Sequence, residues 1–267
     1  GLGVDGYDTV ARAIMTTDTV PKTASSEVGI DDTPVKIFGM AKGAGMIMPN
    51  MATMLSFVVT DAAIYPPLLQ GMLKSLVYQS FNRITIDGDA STNDMVLVLA
   101  NGAAGNSEIQ PGSPEAALFQ DALDGLLKDL AMQIVKDGEG ATKLVTIKVL
   151  GAANNSEAAR AARTIANSPL VKTAFYGEDP NWGRIIAALG RSGAEFEQEK
   201  VDIYFDDVQM VKDGLGLWQE AEAKAAEVLK HESFAVTVDL NTGKGDSEIY
   251  TCDFSLDYIK INADYRT

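Results

Sequence analysis

Short strand-like runs alternate with helical stretches along most of this chain, and that alternation restricts it to sheets covered by helices. The runs are 55–60, 83–87, 95–100, 144–150, 201–206, 234–240 and 248–261. Val145-Thr-Ile-Lys-Val alternates apolar with polar, the mark of a half-solvated strand, whereas Met95 to Ala100 is continuously apolar, which predicts a strand buried on both faces. Between them, 66–81 spaces Leu69, Met72, Leu73 and Leu76 at helical intervals. A longer helix is predicted from Ser113 as N-cap and Pro114 behind it, with Leu118, Leu123, Leu126, Leu127, Leu130 and Ile134 as its apolar stripe and Gly138 as its stop. Ala- and Glu-rich helices are predicted over 156–166 and 217–230. The expected class is α/β (α+β), in two lobes: a core over 1–143 and a smaller C-terminal α/β domain over 144–267.

Charge and reactive side chains narrow the function. With 37 acidic against 22 basic residues the net charge is −15, and such a surface repels phosphate backbones, which argues against nucleic-acid binding. No run approaches about 18 apolar residues, so no membrane-spanning helix is expected. Gly1-Leu-Gly-Val-Asp has neither a basic region nor a long apolar run, so it is not a signal peptide; it also lacks an initiator Met, and residues are expected upstream. One Cys (Cys252) allows no internal disulfide, which fits a reducing, cytoplasmic setting. Together with one His (His231) it cannot supply a structural zinc site. His231 follows a helix ending Ala-Glu-Val-Leu-Lys and reads as a C-terminal helix cation. An enzyme with this inventory needs a base other than His or Cys.

Four segments are dense in chemistry. Met40-Ala-Lys-Gly-Ala-Gly-Met-Ile-Met-Pro-Asn-Met-Ala-Thr-Met-Leu fails as a phosphate loop, because Lys42 precedes the glycines and no Gly-Lys-Ser/Thr follows. It reads as a self-processing junction. Cleavage of Ala52-Thr53 would free the Thr53 α-amine, of unperturbed pKa about 7.7–8.0, which can deprotonate its own Oγ. The plain alternative for Thr53 is a buried β-branched strand residue. Ile86-Asp-Gly-Asp-Ala-Ser-Thr-Asn-Asp makes a dense hydrogen-bonded turn near that junction; it lacks the Gly and terminal Glu spacing of an EF-hand loop. Glu139, between two glycines, could pair with an ammonium or be a solvated loop residue. Tyr176-Gly-Glu-Asp-Pro-Asn-Trp-Gly-Arg suggests a rigid ordered loop, in core architecture or in ligand contact.

Taken in order, the chain resembles the ornithine acetyltransferase (glutamate N-acetyltransferase) family. The matching blocks are Met15-Thr-Thr-Asp-Thr, Lys42-Gly-Ala-Gly-Met, Ala52-Thr-Met-Leu, Asp87-Gly-Asp-Ala-Ser-Thr-Asn-Asp, Glu139-Gly-Ala-Thr-Lys, Gly177-Glu-Asp-Pro-Asn-Trp-Gly-Arg and Asn262-Ala-Asp-Tyr-Arg-Thr, and they run from end to end. The resemblance implies that family's fold and cleavage at Ala52-Thr53 into an α chain, ending here at residue 52, and a β chain from Thr53. It also implies assemblies with two of each chain. The family's α chain is longer, and its Thr-Gly oxyanion segment lies upstream of the Thr-Thr-Asp-Thr block.

The resemblance further implies site roles: Thr16, Lys42, Thr53, Glu139, Asn262 and Thr267 as substrate contacts, with Lys42 for the α-carboxylate and Glu139 for the ornithine ammonium. A carboxylate and a distal ammonium are the charges of N-acetylornithine, so a Lys and a Glu would select it. The implied reaction is ping-pong transfer of acetyl from N-acetylornithine to glutamate through acetyl-Thr53, in arginine biosynthesis, with no metal or organic cofactor. Some members also take acetyl-CoA as donor. Two alternatives remain open: an N-terminal-nucleophile aminopeptidase or amidase that transfers to water, and an unprocessed, inactive module.

Overall fold

The structure is a computed structural model that describes residues 6–48, 54–90 and 93–264. It divides into two compact units, residues 1–137 and 138–267. It is a mixed α/β architecture with two sheets, each carrying helices.

The first unit contains α1 (Tyr7–Ala13), β1 (Lys22–Ile30), β2 (Thr33–Lys42), β3 (Leu55–Thr60), α2 (Pro66–Gln79), β4 (Met95–Ala100) and α3 (Pro114–Lys136). Its sheet runs β1-β2-β3-β4; the first two pairings are antiparallel and β3–β4 is parallel. Asp31 and Asp32 both have positive φ, 48° and 61°, so β1 and β2 are joined by a two-residue hairpin turn whose twist matches the strands. The long helix α3 starts as expected: Ser113 Oγ accepts the Ala116 N–H at 3.2 Å, and Pro114 follows it. Its inner face buries Phe119, Leu123, Leu126, Leu127, Leu130 and Ile134 against β1 and β2. Leu118, which the periodicity assigned to that stripe, is half exposed, and Phe119 takes the inward position. A Cβ on Gly39 of β2 would lie 2.8 Å from both Leu126 and Leu130, so the absence of a side chain there lets helix and sheet close together.

Three expectations are corrected. Residues 83–87 are not a strand: Phe81–Arg83 form a 3₁₀ turn, and the chain then bends. Its polar contacts go across to another loop instead of into a ladder, since Ile86 N–H and Thr85 Oγ1 both donate to Ile47 O, at 2.8 and 3.0 Å. Strand β4 is not buried on both faces. It lies at the sheet edge beside β3, and Met95, Leu97 and Leu99 are 38%, 37% and 56% exposed. Residues 248–261 are not one strand but a strand, a turn and a helix, as described next.

The second unit contains β5 (Leu144–Ala152), α4 (Asn155–Ala166), α5 (Pro169–Tyr176), α6 (Trp182–Gly190), β6 (Asp202–Phe205), β7 (Val208–Lys212), β8 (Leu215–Gly216), α7 (Glu220–Leu229), β9 (Ser233–Asp239), β10 (Gly245–Cys252) and α8 (Leu256–Asp264). Its six-stranded sheet has the order β10-β5-β9-β6-β7-β8, with β5–β9 parallel and the other pairings antiparallel. Val145, Ile147 and Val149 alternate inward on β5 and meet Ala158, Ala161, Ala162 and Ile165 of α4 in one core. The small alanines let that helix lie close to the strands. No helix of the described residues is long and apolar enough to cross a membrane.

Candidate active site

In the first unit, one network of buried charges organises the segment that leads to Thr53. Lys22, at the start of β1, is fully buried; its ammonium bonds Asp18 at 2.6 Å and Asp137 at 2.5 Å. Asp18 belongs to the Thr16-Thr-Asp-Thr block. It also accepts the N–H of Thr16 at 3.1 Å and of Gly43 at 2.7 Å. Thr19 N–H and Oγ1 both donate to Asp137. Burial acts to raise the Asp18 carboxyl, but the Gly43 amide, Lys22 and the Thr16 amide outweigh it and hold its pKa below the ordinary value.

Two more carboxylates, both from the Asp87–Asp94 block, hold backbone amides of the same segment. Asp87 accepts from Met46 N–H at 2.6 Å and Ile47 N–H at 3.0 Å. Asp94 accepts from Met54 N–H at 2.8 Å, and Met95 N–H returns to Met54 O at 3.0 Å. Burial drives the pKa of both carboxyls above the usual value; the amide bonds oppose it at both, and the Lys42 charge opposes it at Asp94. Asp18, Asp87 and Asp94 thus grip amides at Gly43, Met46, Ile47 and Met54. Gly43 itself has φ +145°, open to glycine, and a Cβ there would press on Ile47. Asp87 and Asp94 brace Met46, Ile47 and Met54, and Asp87 also accepts the Asp89 N–H, as a hydrogen-bonded turn would.

Lys42 closes β2, is 7% exposed and stands opposite Leu55 of β3 in the antiparallel register. Its buried cation is therefore set near the first strand residues after Thr53. Thr16 is exposed, one turn of chain from Asp18. Ala52, Thr53 and Thr267 lie outside the described residues.

In the second unit, Glu139 and Asn262 come together: Asn262 Nδ2 donates to Glu139 Oε2 at 2.9 Å and to Tyr258 O at 3.0 Å. The loop that presents Glu139 is fixed by Asp253, which accepts the N–H of Thr142 and Lys143 and the Thr142 hydroxyl at 2.7–2.9 Å. Ser255 Oγ donates to Gly140 O at 2.6 Å. Gly140 has φ +67°, and a Cβ there would come within 2.5 Å of Tyr258 N. Lys143 pairs with Glu178 at 2.9 Å, tying this block to Gly177-Glu-Asp-Pro-Asn-Trp-Gly-Arg. That last block is less a loop than a helix start: Asn181 Oδ1 caps α6 by accepting Arg184 N–H at 3.1 Å, and Trp182 packs against the core and edge-on to Trp218.

Sequence reasoning did not single out Lys22, Asp18, Asp87, Asp94 or Asp253. The available signal was a Lys four residues after an Asp, heading an otherwise ordinary strand, and carboxylates inside the turn blocks.

Comparison with known proteins gives one consistent result. Residues 3–267 match the model of the ArgJ family. The chain is 58% identical over its whole length to the arginine biosynthesis bifunctional protein ArgJ of Desulfotalea psychrophila, and 54% identical to that of Geobacter sulfurreducens. In both cases it spans 68% of the relative. The crystal structure of the arginine biosynthesis bifunctional protein argJ from Bacillus halodurans is similar, with TM-score 0.75 and 47% identity over 80% of this chain and all of that one.

Proposed function

The chain belongs to the ArgJ family, and on that footing we propose that it carries its acetyl transfer on Thr53, freed as an N-terminal nucleophile by cleavage after Ala52. Acetyl transfer in arginine biosynthesis is the enzyme's activity. The observation that carries the detailed reading is the bracing on either side of the Ala52-Thr53 junction. Buried carboxylates hold amides at Gly43, Met46 and Ile47 before it and at Met54 directly after it, and the Lys42 cation lies in register with Leu55.

In this reading the Thr53 α-amine, near its ordinary pKa of about 7.7–8.0, takes the proton of Oγ as Oγ attacks the acetyl carbonyl of N-acetylornithine. The C–N bond breaks, ornithine leaves with the proton, and acetyl-Thr53 remains. The glutamate amine then attacks that ester, releasing N-acetylglutamate and restoring the hydroxyl. Lys42 receives the substrate α-carboxylate and Glu139, aligned by Asn262, receives the distal ammonium, with Thr16 and Thr267 as further contacts. Each step moves an acyl group and a proton, so the reading calls for no metal or organic cofactor. The relatives' designation as bifunctional fits acetyl-CoA as a second donor. Two α and two β chains in the cytoplasm complete the proposal.

Intact mass with N-terminal sequencing of the full-length protein tests it. The expected result is two fragments, the second beginning at Thr53. An intact polypeptide that still transfers acetyl groups at full rate would overturn it.

A further inference from the structure

The chain carries 37 acidic residues against 22 basic, yet three of its arginines gather around one surface cavity in the second unit. The cavity has a volume of about 350 Å³ and is lined by Arg160, Arg163, Thr164, Asn167, Arg191 and Ser192. Positions 160, 163, 164 and 167 share one side of α4 and its C-cap by their helical spacing. Arg191 and Ser192 come from the end of α6, which packs on α4.

The cations there lack counter-charge. Arg160 has one carboxylate, Glu157, at 3.8 Å, and that carboxylate also accepts the Glu195 N–H at 3.1 Å. The guanidinium groups of Arg163 and Arg191 have no hydrogen bond or ion pair among the described residues, and the Arg163 Nε is shut off from water with no acceptor. By contrast, Lys200, Lys224 and Lys230 of the same unit each hold a carboxylate at 2.6–2.7 Å. A partly buried cation without an acceptor is costly, and an anion beside it offsets that cost. Helix ends explain only part of the arrangement. Arg163 lies in the last turn of α4 and Arg191 is the C-cap of α6, places where a cation is favoured. That field calls neither for Arg160 in mid-helix nor for two helices bringing their arginines to a common cavity.

We propose that this cavity binds a phosphate dianion, either free phosphate or the phosphate ester of a small metabolite. The planar guanidinium fork matches phosphate oxygens, and three of them supply charge enough for a dianion. Ser192 Oγ accepts the Ala194 N–H at 3.1 Å and keeps its own proton to donate. The volume equals that of roughly ten waters in the liquid, which takes a phosphate with room beside it for an organic part. None of the residues assigned to acetyl transfer belongs to this site, so it stands or falls apart from that reading.

The test is calorimetric titration of the full-length protein with inorganic phosphate at about pH 8, where the dianion predominates, with ionic strength held constant by sodium chloride. Saturable binding is expected, weakened about tenfold by Arg163→Gln and by Arg191→Gln, the scale of one lost charge-assisted hydrogen bond. Lys200→Gln, which removes a paired surface cation, should leave it unchanged. Heat no greater than chloride produces, or an equal loss in all three variants, overturns the proposal. Arg191 is exposed, so Arg191→Gln carries the test should Arg163→Gln not fold. A second titration with adenosine monophosphate separates the two sources, and both results agree with the proposal. Tighter binding than phosphate identifies a phosphorylated metabolite whose remainder fills the cavity; equal or weaker binding identifies free phosphate.

Discussion

Asn262 bonds the carboxylate of Glu139 across a separation of 123 residues, at 2.9 Å. Its own position comes from helix α8, where the same amide nitrogen also bonds the carbonyl of Tyr258, one turn earlier. The pair is a carboxylate aimed by an amide, suited to receive a cation. Glu139→Gln removes the charge, and Asn262→Ala the aiming. Each is expected to raise KM for N-acetylornithine about tenfold, the scale of a lost charged hydrogen bond, with a smaller change in kcat. Steady-state kinetics with that donor decide, and unaltered KM values would remove the pair from the binding site.

Thr53→Ala is expected to give one uncleaved species by mass spectrometry and acetyl transfer at background level, because both the hydroxyl and the cleavage that frees the amine are gone. Full activity in that protein would refute the assignment.

Lys22 neutralises Asp18 and Asp137 in a place closed to water. Lys22→Ala leaves two carboxylates without their cation, and breaking a buried pair in this way costs about 3–5 kcal/mol. Urea titration should show the midpoint falling correspondingly. A midpoint that stays put would mean that water enters the gap.

Asp18 sets a pH dependence whose sign follows from its lowered folded pKa. The stability its charge contributes is complete above its unfolded value of about 3.9 and is lost as pH falls through the lower folded value. The melting-temperature gap between wild type and Asp18→Asn is therefore expected to be level from neutral pH to about pH 5, and to narrow below about pH 4. A gap that widens on acidification would contradict the assigned direction.

Gly140→Ala forces a Cβ onto a left-handed backbone and into Tyr258 N and Ser255 Oγ. The backbone term alone is about 1–2 kcal/mol, and the collision also pushes the Glu139 loop away from α8. A lower melting temperature together with a raised KM for N-acetylornithine is expected; a wild-type KM would separate the loop from binding.

What could be read in the sequence was whatever announces itself locally. The Ser113 cap and the stripe of α3, the alternation of β5 and the ordered blocks around Lys42 and Glu139 all do so. The hairpin of β1 and β2 passed unnoticed because one of its faces is polar, with Ser25, Glu27 and Lys36, and its turn is Asp-Asp with no glycine to mark it. Residues 83–87 alternate like a strand, yet Ile47 draws their polar groups elsewhere. The run 248–261 breaks at Asp253 and Ser255 because those side chains are spent on the Glu139 loop, more than 100 residues away in sequence, as the separations of 110 to 115 show. Lys22 and Asp94 owe their roles to partners that only the fold supplies.

Strand β4 has apolar side chains open to solvent and, among the described residues, a single neighbour in its ladder. Its outer backbone rungs are a template on which another extended peptide can crystallise. A preparation of this chain by itself should therefore grow cloudier with concentration, and a lysine placed at Leu97 or Leu99 should keep it clear.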